Sequence, residues 1–430
     1  MGAKKVIKSI IPKAMWNWMV DLKITCGIAN TFRKVKKSLP DYKNDKIKIL
    51  FIVQRTEVFT SVRTVFEEAI KDERCEVYIL PLPKCINTER GQELLPDTLD
   101  EVIDFCAGLK GAELIDSYDK DTKRFYDLNE LKPDYIFLNV PYTTQYPSDY
   151  SMEKLVKIGK VCFVPYSYTF GDTKKYNSVY QTEFHTTLLS HASYLFMDGE
   201  ASYKFCKKKL WLSEFINGKK LFNLGYPRFD RVISGNKNHE KLTALWIPRW
   251  TTKKQDGFIS SSFFDFKDEI IRYFKSRVGQ LELITRPHPI AFDNYIKDGF
   301  MTKESVELYK KEYVGNLHLD ETKDYIGAFV NSDVMIADFS GMIIEYFMMN
   351  KPIIYCGEKD DFVPELKYIT DTFYYASSWQ EVEGYIELLQ NGMDEKKDLR
   401  NAAVEKFKNE AFCSSERILD RLIKDYYSKK

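Results

Sequence analysis

A chain of 430 residues with 44% hydrophobic and 15% aromatic side chains is too long for one compact core and holds enough apolar material for two or three. Its 64 basic residues are balanced by 63 acidic ones, so bulk charge gives no reason to expect a nucleic-acid partner. The eight cysteines are scattered with no C-x-x-C pair, which excludes a zinc ribbon or a dithiol redox motif and fits a reducing compartment.

Charge is unevenly distributed: residues 1–40 carry +8 and the remainder −7. Within that basic stretch Ile7, Ile11, Met15 with Trp18, and Leu22 recur at three- to four-residue intervals, while Lys4, Lys5, Lys8 and Lys13 occupy other faces. The spacing predicts an amphipathic helical segment within 1–45. Trp16 and Trp18 beside many lysines suit a helix lying in the headgroup plane of an anionic membrane. A helix packed on its own globular body, with solvated lysines, has the same pattern. No uncharged run reaches eighteen residues, so a spanning helix is not expected.

From residue 46 the chain repeats one rhythm. The apolar runs KIKILFIVQ (46–54), CEVYILPL (75–82), DYIFLNV (134–140), KVCFVPY (160–166) and SYLFMDG (193–199) are separated mostly by helix-length stretches. Runs, as opposed to alternations, mark strands buried on both faces, and strands alternating with helices give a parallel sheet. Gly225-Tyr226-Pro227-Arg228 and the polar stretch Ser234 to Lys241 break the rhythm. It resumes with LTALWIP (242–248), LELIT (281–285), NLHL (316–319), DVMIAD (333–338) and PIIYCG (352–357), and ends in a helical stretch from about Asp394 to Tyr427. The expected fold is α/β: two Rossmann-like domains, 46–232 and 233–430, facing a cleft and preceded by the helical segment 1–45.

Three clusters carry chemistry. In Arg286-Pro287-His288-Pro289, after LELIT, alternate prolines hold the chain extended, so Arg286 and His288 are expected on one side, converging on a ligand at the carboxyl end of a strand. A guanidinium fork beside an imidazole suits a diphosphate. In Asp338-Phe339-Ser340-Gly341-Met342-Ile343-Ile344-Glu345, Ser340 is a good N-cap and Gly341 lets a ligand approach an opening helical turn that attracts anions. Glu345 among apolar neighbours needs partners, which ribose hydroxyls would supply, as would a lysine at the helix surface. Pro248-Arg249-Trp250-Thr251, followed by Ser260-Ser261-Ser262, adds a cation and hydroxyls to the same edge or is an ordinary loop. Asp116-Ser117-Tyr118 and Asp119-Lys120-Asp121 lie in a polar stretch without a preceding strand, so no metal site is expected. With no G-x-x-x-x-G-K-[ST] and no G-x-G-x-x-G, P-loop and dinucleotide readings fall away and no cofactor is expected.

The order GYPRFD (225–230), LWIPRWT (245–251), ITRPHP (284–289) and ADFSGMIIEYFMMNKPIIY (337–355) resembles the CDP-glycerol glycerophosphotransferase family of bacterial teichoic-acid and capsule synthesis, strongly over about 220–360. The resemblance implies a GT-B-like enzyme that uses a CDP-polyol. Arg286 and His288 would bind the donor pyrophosphate, Ser340 and Gly341 would help to hold it, Glu345 would face the nucleoside, and Asp338 begins the motif. It implies a peripheral protein on the cytoplasmic membrane face and a lipid-linked polymer acceptor. Two places depart from the family pattern. Arg249 is displaced from a common T-W-R tripeptide, and FVPYSYTFGD (163–172) lacks the W-H-G histidine thought to be the base. Tyr166, Asp172 and His185 are the candidates to replace it, while His191, His239 and His318 are read as structural. The alternatives are a glycosyltransferase of the same architecture using a UDP- or GDP-sugar, and a non-catalytic scaffold subunit of a membrane polysaccharide complex.

Overall fold

The computed structural model describes residues 12–41, 44–88, 91–231, 233, 241–252, 261–322 and 324–428. The leading part of the expected amphipathic segment, most of the polar stretch after Ser234 with His239, and Ser260 lie outside the described residues.

The apolar runs become parallel strands, each covered on both faces by the crossover helices of its sheet, which is why they read as runs without polar alternation. In the first sheet these are β1 (Ile47–Val53), β2 (Cys75–Pro81), β3 (Glu113–Leu114), β4 (Tyr135–Leu138), β5 (Lys160–Phe163), β6 (Tyr194–Met197) and β7 (Lys220–Asn223). Their spatial order is β7-β6-β5-β4-β1-β2-β3. The second sheet holds β8 (Leu242–Ile247), β9 (Leu281–Thr285), β10 (Leu317–Leu319), β11 (Val334–Ala337), β12 (Ile353–Tyr355) and β13 (Tyr374–Tyr375), in the order β10-β9-β8-β11-β12-β13. The short strands β3 and β13 and two small antiparallel hairpins, 84–95 and 118–125, have no apolar run behind them and are not legible in the sequence.

By residue contacts the chain divides into two units, and neither is one continuous stretch. The first comprises Met1–Thr169, Val179–Asp230 and Phe412–Lys430; the second comprises Phe170–Ser178 and Arg231–Ala411. The boundary expected at 232 falls beside the crossing at 230/231, and three further crossings, at 169/170, 178/179 and 411/412, have no counterpart in the sequence reading. The stretch from Asp394 is two helices, broken where Cys413 takes a left-handed conformation (φ 60°). The last of them, Ser414–Tyr427, belongs to the first unit. Asp230 holds its start, accepting from the N–H groups of Ser414 (3.0 Å) and Ser415 (2.8 Å) and from both serine hydroxyls. The Tyr135 hydroxyl donates to the Leu422 carbonyl at 2.9 Å.

Helix α1 (Lys13–Ser38) buries Thr25, Ile28, Ala29, Phe32 and Val35 against α3 (Thr186–His191) and α4 (Glu200–Asn217). Polar pins fix it: Asn217 Nδ2 donates to the Ala29 carbonyl (2.9 Å) and Lys36 Nζ to that of Asn217 (3.0 Å). The buried Lys219 ammonium donates to Ala192 and sits 3.9 Å from the centroid of the Phe32 ring. The second half of α1 thus packs on its own unit, while Met15, Trp18 and Met19 in the first half stay exposed, Trp18 to 62%. No described helix is long and apolar enough to cross a membrane.

Candidate functional site

In the second unit the chain moves from β8 to β9 and β10 on one side, then returns to lay β11 on the other side of β8. Strand order reverses between β8 and β11, and ligands of open α/β sheets bind outside the carboxyl ends at such a reversal. Pro248-Arg249 and Asp338-Phe339-Ser340-Gly341 leave the sheet at that point.

Asp338, fully buried, ties these loops together. One carboxylate oxygen accepts from the N–H of Arg249 (2.8 Å), the Ser261 hydroxyl (3.0 Å) and the N–H of Ser262 (3.0 Å). Burial pushes its carboxyl above the usual range, against the lowering effect of these hydrogen bonds. Asp338 thereby holds the loops at 249 and 261–262 in place. Ser261 and Ser262 serve the same framework. The Arg249 guanidinium donates to the Phe339 carbonyl at 2.6 Å and lies 5.4 Å from that ring's centroid. The displaced Arg249 therefore does reach the edge at Ser340. The Tyr295 hydroxyl holds the Arg249 carbonyl.

Arg286 and His288 take different neighbours instead of converging. The Arg286 fork reaches the turn after β10: Asp320 Oδ2 (2.6 Å), the Thr322 hydroxyl (3.3 Å) and the carbonyls of Thr322 (2.8 Å) and Asp324 (3.4 Å). Burial alone would raise the Asp320 carboxyl, but hydrogen bonds from Thr322 and Arg286 outweigh it and hold the pKa low. His288 sits beside Trp250, with ring centroids 6.3 Å apart. Its Nδ1 accepts from the N–H of Ile290 at 3.4 Å, which assigns the proton of the neutral ring to Nε2. Nε2 has no partner among the described residues. The residue keeps exposed surface, yet its ring loses enough hydration that burial, and then the charge of Arg249, lower its pKa below 6.5. His288 is thus a neutral imidazole with one outward N–H.

Ser340 Oγ accepts from the N–H of Met342 at 3.3 Å, opening α5 (Met342–Met348). A Cβ added to Gly341 would meet nothing within 4 Å, so this backbone is open to approach. Glu345 is buried and accepts from the Tyr325 hydroxyl, a partner not foreseen from sequence, and neither ribose nor lysine is needed to explain its burial.

The three base candidates of the sequence are used otherwise. His185 caps α3: Nδ1 accepts from Leu188 N–H (3.4 Å) and Nε2 donates to the Pro141 carbonyl (2.7 Å). Both ring nitrogens serve the backbone. The Tyr166 hydroxyl lies 3.1 Å from that of Tyr142, and burial, then the Glu183 charge, push its pKa far up. Asp172 falls in the second unit, where its carboxylate accepts from the N–H groups of Lys174 (2.8 Å) and Lys175 (3.2 Å). Both ring nitrogens of His185, the Tyr166 hydroxyl and one carboxylate oxygen of Asp172 thus have partners within the protein.

Two acidic groupings were missed because their members are far apart in the chain or unremarkable in it. Glu358, Asp360 and Asp361 bring carboxylate oxygens within 4.8 Å of one another, and Lys175 Nζ already binds all three. In the first unit Glu183 and Asp198 are both buried, 7% and 2% exposed.

The family model for CDP-glycerol:poly(glycerophosphate) glycerophosphotransferases matches residues 172–424, which include every element of the strand reversal just described. The chain belongs to this family. The transferase matches no curated protein. Solved structures share its fold at low identity. A UDP-N-acetylglucosamine 2-epimerase is 15% identical with a TM-score of 0.55, covering 90% of this chain and 98% of that one. The UDP-GlcNAc 2-epimerase from Neisseria meningitidis bound to UDP-GlcNAc is 14% identical with a TM-score of 0.54, covering 88% and 100%. The wall teichoic acid polymerase TagF is 13% identical with a TM-score of 0.52, covering 92% and 91%. These likenesses bear out the α/β, GT-B-like fold class, and the family match bears out the resemblance read from the motifs.

Proposed function

We propose that this glycerophosphotransferase moves glycerol phosphate, or another polyol phosphate, from a CDP-polyol to a hydroxyl at the end of a membrane-linked teichoic-acid or capsular polymer, releasing CMP, with no cofactor or metal. The observation that carries this reading is the outward Nε2–H of His288, next to Arg249 and the open backbone of Ser340-Gly341, at the strand reversal of the family-matched unit. In-line displacement at phosphorus is promoted chiefly by positioning and by stabilising developing charge. His288 would donate a hydrogen bond to a phosphate oxygen. Arg249 would supply fixed positive charge. Arg286 would shape the pocket through the 320–324 turn. A variant of the wall teichoic acid polymerase TagF soaked with CDPG is in keeping with this donor class. The exposed Met15, Trp18 and Met19 of α1 with the basic surface of that helix support peripheral attachment to an anionic membrane face.

The test is a donor panel of CDP-glycerol, CDP-ribitol and UDP- and GDP-sugars, supplied with membrane vesicles bearing a glycerol-phosphate-primed lipid. CMP release from a CDP-polyol supports phosphoryl-group transfer. A nucleoside diphosphate from a UDP- or GDP-sugar supports the glycosyltransferase reading instead, and no turnover with any donor supports the scaffold.

A further inference from the structure

The first sheet has a strand reversal of its own. From β1 the chain lays β2 and β3 on one side, then returns to lay β4 and β5 on the other. β4 pairs with both β1 and β5, so the loops leaving the carboxyl ends of these three neighbours lie where open α/β sheets bind ligands. Arg55 lies two residues beyond β1, Tyr142 and Gln145 lie beyond β4, and Tyr166 lies three residues beyond β5. All four keep part of their surface exposed, and all belong to the first unit.

Arg55 is held without being neutralised. Its Nη2 donates to the Gln145 side-chain oxygen at 2.5 Å, and its guanidinium lies 5.8 Å from the centroid of the Tyr142 ring. A guanidinium placed for structure alone is ordinarily matched with a carboxylate, and Arg55 pairs with none among the described residues. The neutral amide fixes the fork while leaving its charge and its other N–H groups to a ligand. Nor is Arg55 needed to hold the loop it touches. Gln54 Nε2 donates to the Gln145 carbonyl (2.6 Å), Gln92 Nε2 to those of Thr144 (2.8 Å) and Tyr146 (2.6 Å), and His185 Nε2 to that of Pro141 (2.7 Å). Segment 141–146 is thus pinned from three sides, and Arg55 rests on it.

The two tyrosines add a donor. Their hydroxyls lie 3.1 Å apart, and each is the other's only hydrogen-bond partner among the described residues. One hydrogen fills that bond, so one remains, whichever of the two donates. Burial, then the charge of Glu183, hold Tyr166 in its protonated form. A guanidinium fork by itself satisfies a planar carboxylate, whereas a fork with a further hydroxyl donor beside it suits the several oxygens of a tetrahedral phosphate. We propose that Arg55 and the remaining O–H of the Tyr142–Tyr166 pair bind a phosphate ester at the carboxyl edge of the first sheet, and that this ester is the terminal polyol phosphate of the acceptor. The identity of the ligand rests on the transferase reading; the phosphate site itself does not. Such a site selects a chain that already carries polyol phosphate over a neutral polyol, whose oxygens cannot use the charge of Arg55.

Binding is measured on the full-length chain by equilibrium dialysis of a radiolabelled glycerol phosphate trimer, and turnover by CMP release from CDP-glycerol with vesicles bearing a glycerol-phosphate-primed lipid. Because the proposed donor site also takes phosphate, His288→Ala is the control and should keep trimer binding. Arg55→Gln should weaken that binding about 10- to 100-fold, the loss of a charge-assisted pair, and raise the acceptor KM by a similar factor, with donor KM and melting temperature unchanged. Arg55→Lys, which keeps the charge but not the fork, should fall between it and wild type. Tyr142→Phe combined with Tyr166→Phe, which removes the last O–H, should weaken binding about 2- to 10-fold. An Arg55→Gln or Arg55→Lys chain that folds and binds the trimer as wild type does overturns the site, as does binding lost in His288→Ala and kept in Arg55→Gln. Inorganic phosphate or phosphatidylglycerol vesicles that displace the trimer at equal phosphate concentration overturn its assignment to the acceptor. Arg55-dependent binding by a wild-type chain without turnover supports the phosphate site and overturns the transferase reading, so the two failures are distinct.

Discussion

His288 and Asp338 stand in motifs of similar prominence but do different work, and the difference lies in which atoms are left over. Every polar contact of His288 uses Nδ1 or the backbone, so Nε2–H is available to a ligand. His288→Ala should abolish CMP release while leaving the melting temperature within error, as measured by thermal unfolding alongside turnover. Because its pKa is held below 6.5, this ring stays neutral as pH falls to that value, and acid loss of its donor geometry begins only below it. Asp338 has nothing left over. Asp338→Ala would strand the buried N–H groups of Arg249 and Ser262, at a cost of about 2–4 kcal/mol. Chemical denaturation should show that loss, with CDP-glycerol affinity falling as a consequence of the misplaced loops. The residues of both motifs were legible as a cluster at strand ends. Their division of labour was not, because it depends on Ser261, Ser262 and Asp320, which no spacing rule connects to them.

Among the elements, strands were read most accurately. The runs at 75–82, 242–248 and 281–285 correspond to strands within a residue or so, since an apolar run fixes a doubly covered strand without help from elsewhere. Helix α1 shows the limit of periodicity: the pattern allowed both membrane and body as the buried face, and only the pins from Asn217 and Lys219 show where its second half goes. The helix Ser414–Tyr427 is the clearest case of a role hidden from sequence. Its start is held by Asp230 of the GYPRFD motif, through four hydrogen bonds to Ser414 and Ser415. A carboxylate at a helix N-terminus satisfies otherwise orphaned N–H groups and complements the helix dipole. Asp230→Ala should therefore destabilise the first unit by about 2 kcal/mol, seen as faster amide exchange at the start of that helix. The strand-end loops at 248–250 and 338–341 of the second unit should exchange as in wild type.

At the scale of the molecule, the chain passes between its two units at 169/170, 178/179, 230/231 and 411/412. A fragment cut at the boundary legible in sequence, residues 1–232, would lack the closing helix that accepts from Tyr135 and buries Ile418, Leu419 and Leu422. It should melt well below the full chain or aggregate, and adding a peptide of residues 412–430 should recover part of the loss in a thermal-shift assay.

Composition and pattern by themselves determined the α/β class, most strands of both sheets, and the transferase family, because these follow from runs of apolar residues and from short motifs at strand ends. The tertiary structure decided what each motif residue does. Whether an arginine, aspartate or histidine meets a ligand depends on which hydrogen-bonding atoms remain after distant segments have taken theirs, as Asp320 takes Arg286, Pro141 takes His185, and the loops at 249 and 262 take Asp338.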